Sequence, residues 1–245
     1  MHTIPNRAYS GLCIALLSLA QTGHCATVNL QNATATYSQT ASGDFSVGRA
    51  SDGILNDNLG WAIQDGITNQ TAAWETTQDV GFASGSRLTF NLYQYANYWG
   101  YTETLGRFRI SITTDNRSQF ADGLATGGNV TANWIVLNPD SYLAQNGTTL
   151  AKLGDNSILA SGATPITDVY TVRALTFLTG ISGVRLEVLS DPSLPQNGPG
   201  REPPNGNFVL SEFTMSITQV PEPGTIAFFA VGCGVLVQMR RKRSA

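Results

Sequence analysis

The stretch "GRASDGILNDNLGWAI" sets Asp52, Asn56, Asp57 and Asn58 within seven residues of a turn-rich segment. Carboxylate and amide oxygens at this spacing, together with free carbonyls, suit calcium, which takes six to eight oxygen ligands in a flexible shell. The same residues also close loops through Asx hydrogen bonds, and spacing alone leaves both readings open. A second cluster, "YQYANYWGYTE", packs Tyr93, Tyr95, Tyr98, Trp99 and Tyr101 into nine residues. Flat rings stack on sugar faces while phenol hydroxyls bond to ligand hydroxyls. Tyr93 and Tyr95 continue the alternation of the preceding segment, so some of these rings can instead complete a core. Tyr98, Trp99 and Tyr101 fall in the turn beyond it, where burial is less natural.

Five glutamates, Glu75, Glu103, Glu187, Glu202 and Glu212, raise the question of glycoside hydrolysis, which needs two carboxyl groups at a set separation. No motif joins any two of them. Glu75 in "AAWET" and Glu187 in "RLEVL" read as outward-facing strand residues, so the expectation is a protein without catalysis. Other chemistries lack their residues. Cys13, Cys25, Cys233, His2 and His24 all lie outside Thr27–Gln219. That span therefore has no imidazole base for a Ser/His/Asp or Cys/His site, no usual zinc ligands and no disulfide. It carries nine Lys or Arg against sixteen Asp or Glu, a net charge of minus seven, which argues against nucleic acid as a partner.

The elements that must hold these clusters read as strands. Helical periodicity is scarce, while alternating segments bounded by Gly, Asn, Asp and Ser recur. Strands are expected at 33–38, 71–76, 87–93, 107–114, 133–138, 149–153, 170–175, 183–189 and 207–218. In "RLTFNLY" Leu88, Phe90 and Leu92 share a face, and in "RFRISITT" Phe108, Ile110 and Ile112 do, so each strand is expected to bury one side only. Many one-sided strands without covering helices imply an all-β antiparallel β-sandwich or jelly roll. One domain over 27–219 is the simplest organisation, and two small sandwiches meeting near 118–132 are the alternative. Asp191–Glu212 holds five of the ten prolines, which stiffen a connection into the last strand, with Arg201 and Glu202 at its tip.

The two ends carry their own signals. Residues 1–26 combine Arg7, the apolar run "GLCIALLSLA" and small residues, the pattern of a secretory signal peptide, with cleavage after Ala20 or after Ala26. Residues 220–245 hold Val220, Pro221, Glu222 and Pro223, then an uncharged run from Gly224 to Met239, then Arg240, Arg241, Lys242 and Arg243. Sixteen helical residues reach about 24 Å, short of the roughly 30 Å hydrocarbon core but workable with snorkelling arginines. The basic cluster predicts a cytoplasmic C-terminus.

This ending resembles the PEP-CTERM sorting signal of Gram-negative bacterial proteins. The resemblance implies recognition and cleavage by an exosortase, a transient stay in the inner membrane, and a destination in the cell envelope, cell surface or extracellular matrix. A second resemblance starts at "ASDGILNDNLGWAI", which is similar to the Asp-Gly and Trp block of discoidin-like (F5/8 type C, galactose-binding-like) sandwiches. "LTFNLYQ", "LGRFRISITTD", "DPSLPQNGPGR" and "NGNFVLSEF" resemble modules of planctomycete-type envelope proteins. Together these imply a non-catalytic module directed at extracellular polysaccharide, with a structural calcium ion. In such modules a glutamate on the last strand closes the calcium loop. The resemblance therefore assigns Asp52, Asn56, Asp57 and Glu212 to the metal, and Tyr95, Tyr98, Trp99 and Tyr101 remain the ligand-binding candidates. "NQTAAWET" departs from the pattern where a polar contact residue is expected.

Overall fold

The computed structural model describes residues 25–40, 43–55, 57–64, 66, 68–97 and 100–221. The segments before 25 and after 221, with Glu222, Pro223 and the Arg240 to Arg243 cluster, lie outside the described residues, as do Asn56, Tyr98 and Trp99. Among the described residues, fourteen strands follow in chain order. They are β1 (Cys25–Val28), β2 (Leu30–Ala35), β3 (Trp61–Ala62), β4 (Gln70–Val80), β5 (Ser86–Gln94), β6 (Arg107–Thr113) and β7 (Ile135–Val136). The second half comprises β8 (Pro139–Ala144), β9 (Thr148–Lys152), β10 (Ile158–Gly162), β11 (Asp168–Thr176), β12 (Ile181–Val188), β13 (Val209–Leu210) and β14 (Glu212–Gln219).

All pairings are antiparallel, and they build two main sheets. One has the order β1-β14-β5-β11-β8, the other β2-β4-β12-β6-β10-β9 with β7 also on β6, and β13 pairs separately with β3. Alternation explains why. On β5, Leu88, Phe90, Leu92 and Gln94 are buried while Arg87, Thr89, Asn91 and Tyr93 are half-buried on the other face. Aromatic contacts close the sandwich between sheets. Trp74 on β4 meets Phe213 on β14 at 4.9 Å between ring centroids, and Phe108 on β6 stacks on Tyr170 on β11 at 6.0 Å. Such pairs add about 0.5–1.5 kcal/mol each beyond the area they bury.

Several strand expectations need correction. The strand expected at 33–38 begins earlier and ends at Ala35, and 133–138 shrinks to β7 because Pro139 opens β8. The strand expected at 207–218 divides at Ser211, which leaves β13 on β3 and β14 on β5. β1, β3, β8 and β10 are additional. β4 also breaks the one-sided rule, since Ala72 to Thr76 are buried on both faces. On the outward side, Glu75 is covered by side chains from the neighbouring β2, whose register shifts between Gln31 and Thr34. There Gln31 and Asn32 each donate to a Glu75 carboxylate oxygen at 2.8 Å, so Glu75 is buried rather than solvent-facing. Glu187 is half-buried on β12 and held by Arg109 through two bonds of 2.9 Å, with Arg185 at 3.0 Å.

The proline-rich connection is a strap whose expected tip is buried, while Pro192, Pro203 and Pro204 stay exposed. Arg201 is 4% exposed and Glu202 6%. Arg201 donates to the Thr148 hydroxyl at 3.1 Å and to the Gly162 carbonyl at 2.9 Å, tying the strap to the β9–β10 hairpin. Glu202 accepts from the Thr102 amide and hydroxyl, which anchors the segment that follows the aromatic cluster. The backbone of Arg201 adds a bond to the Thr104 carbonyl at 2.8 Å.

Candidate functional site at the Glu212 end of the sandwich

β14 begins at Glu212, directly opposite Tyr93 in the register with β5. The two clusters singled out in the sequence converge at this end. A short 3-10 turn, Val47–Ser51, leads into Asp52 and Gly53. The Gly53 amide donates to the Glu212 carboxylate at 3.1 Å, across 159 residues of chain. The Asn58 side-chain oxygen accepts from the Asn97 amide at 3.1 Å, which joins the acidic loop to the aromatic segment. The Tyr95 amide donates to the Ser211 hydroxyl at 3.0 Å, holding that segment to the start of the last strand. Close backbone approach completes the arrangement. A Cβ on Gly60 would lie 2.3 Å from the Leu210 carbonyl oxygen, so only glycine lets the acidic loop pack on β13.

The structure places the expected metal residues unequally. Asp52 and Glu212 come together, and Asn56 lies outside the described residues. Asp57 turns one oxygen to the Leu59 amide at 3.0 Å and the other toward Arg49 at 3.9 Å. Arg49 also pairs with Asp44 at 2.7 Å and Asp52 at 3.3 Å, while Asp52 accepts from the Ile54 amide at 2.9 Å. Both aspartates thus use their loop-closing capacity as well. Arg49 escaped the sequence reading, although its position three residues before Asp52 is the spacing of a helical turn ion pair.

Glu212 is the most perturbed acid here. It is 8% exposed, and burial pushes its carboxyl up to about 7, with the neighbouring Asp52 charge adding to the rise and the Gly53 N–H opposing it. A buried carboxylate with a second carboxylate beside it is the environment a divalent cation relieves. In that respect Glu212 and Asp52 fit calcium. Among the described residues, however, no group of three or more His, Cys, Asp or Glu is gathered closely enough to hold a metal, so most ligands would have to be carbonyls or water.

Of the aromatic candidates, Tyr95 is half-buried and packs edge-on against Tyr93 at 5.8 Å. Tyr101 is 47% exposed. Tyr98 and Trp99 lie between them in sequence, outside the described residues.

No family description and no curated protein matches the chain. Solved structures do. The chain is similar to chitosan-binding module 1 derived from a chitosanase/glucanase of Paenibacillus sp. IK-5, at 14% identity and a TM-score of 0.43, over 77% of this chain and 95% of that one. It is also similar to the β-galactosidase of Streptococcus pneumoniae, at 12% identity and a TM-score of 0.43, over 80% and 92% of the two chains. A protein assigned as an α-L-fucosidase from Bacteroides thetaiotaomicron matches at 13% identity and a TM-score of 0.42, over 79% of this chain but 28% of its own. At such identities and TM-scores the likeness carries no functional weight, and the reading of the site rests on its own geometry.

Proposed function

We propose that this chain is an exported, non-catalytic β-sandwich of the galactose-binding-like kind that binds extracellular polysaccharide at the Glu212 end, supported by a structural calcium ion. The observation that carries the reading is the Asn58–Asn97 bond, which ties an oxygen-rich loop to an aromatic segment with an exposed tyrosine. Glu212 and Asp52 would hold the ion, whose charge would keep Glu212 ionised and set the loop against the last strand. Tyr101, with Tyr95, Tyr98 and Trp99, would supply the stacking surface. A non-catalytic role is supported by the engagement of the carboxylates within the fold. Glu75 is held by two amides, Glu187 by two arginines and Glu202 by Thr102.

Glycan-array binding with the secreted module tests the proposal. Calcium-dependent binding to at least one polysaccharide is expected, with Tyr101→Ala weakening it by about tenfold, the range of one lost stacking contact. Absence of binding to every glycan, with and without calcium, would instead favour a purely structural component of the surface or exopolysaccharide layer.

Export and processing belong to the same proposal. Residues 1–26 would direct secretion. Residues 220–245 would be held in the inner membrane until an exosortase cuts near Pro221, Glu222 and Pro223. The fold bears on the first cut. Cys25 and Ala26 pair with Thr218 and Ile217, so cleavage after Ala26 would delete half of β1, whereas cleavage after Ala20 leaves it whole. The expected mature N-terminus is Gln21, and intact-mass analysis of the secreted protein reading Thr27 instead would count against it.

A further inference from the structure

The opposite end of the sandwich carries an apolar surface next to the exit of the chain. β14 ends at Gln219, and the Val220 amide still donates to the Gly85 carbonyl at 2.9 Å. Two turns flank this exit, "GFASGS" at 81–86 and "FLTG" at 177–180, and neither contains a charged residue. They pack together closely. A Cβ on Gly81 would meet the Leu178 carbonyl oxygen at 2.4 Å, and one on Gly85 would lie 3.0 Å from the Phe177 ring and 3.5 Å from the Val220 Cβ. Phe177 nevertheless stands 68% exposed and Leu175 40%, with Phe82 and Leu178 half-buried beside them. Arg87, opposite Leu175 in the register, is paired with Asp140 at 2.7 Å, and Arg173 stands exposed two residues before Leu175 on the same face of β11.

Chain length decides what can cover this surface. Four residue steps separate Val220 from Gly224, where the uncharged run begins, with Pro221, Glu222 and Pro223 between them. Fully extended they span at most about 14 Å. A bilayer's polar layer adds about 5–8 Å outside each side of the hydrocarbon core. A sandwich tethered so tightly has its exit end at the membrane surface, where aromatic and aliphatic side chains on uncharged turns bury in the headgroup boundary.

We infer that the turns 81–86 and 177–180 form a lipid-contacting face, with Phe177 and Leu175 inserted into the bilayer surface while the chain remains anchored. The inference rests on the reading that residues 224–239 span the membrane. It places Glu212 at the far end of β14, about 25 Å away at strand rise, so the candidate polysaccharide site faces outward from the lipid.

Photo-crosslinking tests the face. The full chain is reconstituted into phosphatidylethanolamine–phosphatidylglycerol vesicles carrying a photoactivatable phospholipid, and labelled peptides are mapped by mass spectrometry. Labels are expected within 224–239 and also on 81–86 and 175–178. Phe177→Ser, at an exposed position, is expected to lower the turn labels about fivefold and leave those within 224–239 unchanged. Labels confined to 224–239 in the wild type would overturn the lipid-contacting face and leave the anchor standing. A chain with no labels at all would overturn the anchor itself, and the face with it.

Discussion

Gly200→Ala is expected to lower the unfolding free energy by about 3 kcal/mol, the upper range for forcing a methyl into a filled site. The added Cβ would lie 1.9 Å from the Asn207 carbonyl oxygen and 2.2 Å from its carbon, both main-chain atoms with no rotamer to yield. The strap would have to open, and the bonds on either side go with it. Gly200 donates to the Gly206 carbonyl at 2.7 Å, Arg201 follows immediately, and Glu202 holds the Thr102 amide beside Tyr101. Urea denaturation reads the loss. Gly154→Ala is the reference, because nothing lies within 4 Å of a Cβ there, and its change should stay within about 0.5 kcal/mol. Equal stabilities for the two variants would contradict the strap as a structural member.

The second large effect belongs to Glu212 and has a definite sign. Its carboxyl titrates near 7 in the fold against an ordinary value of 4.5, so between those values the folded state binds more protons than the unfolded. Stability from this group is fully present below about pH 4.5 and is lost as pH rises toward 7, by at most about 3 kcal/mol. Asp155 acts in the opposite direction in a separate window. The Ser157 hydroxyl, more than offsetting burial, and then the Ser157 amide and Arg107, hold its carboxyl down at about 2, so its contribution is lost only as pH falls below the ordinary range. In metal-free buffer, the melting temperature should therefore fall from pH 5 to pH 7.5, and Glu212→Gln should flatten that decline. Calcium at a hundred times its dissociation constant should restore about 2.7 kcal/mol, a rise of about 5–10 °C in Tm. Glu212→Gln should abolish most of that calcium shift. A wild-type melting temperature indifferent to both calcium and chelator would remove calcium from the account.

Much of this architecture was legible because alternation is a strong signal. Leu88, Phe90 and Leu92 on β5, and Phe108, Ile110 and Ile112 on β6, identify two inner strands and the faces they bury. β8 and β10 were not legible, since "PDSYLA" opens on a proline and "ILASG" is too short to show a period. The burial of Glu75 depends on a bulge in β2 that no local pattern in "AAWET" encodes. Arg201 and Glu202 sit in a stretch rich in Pro, Gly and Asn that reads as exposed, and contacts distant in sequence, from residues 102–104, 148 and 162, hold them inside. At the candidate site, local sequence could mark the Asp52 loop but could not reach across to Glu212. That link came from resemblance, and the Gly53–Glu212 bond gives it a geometry. Asp57 went the other way, because Arg49 offers it and Asp52 a competing charge on the same turn.

Hydrogen–deuterium exchange with and without saturating polysaccharide, in calcium, locates the binding site on the sandwich. Protection is expected at 52–58 and 93–102, with no change on the 81–86 and 177–180 turns at the other end. Protection elsewhere on the sandwich, or none at any polysaccharide concentration, would contradict a binding site at the Glu212 end.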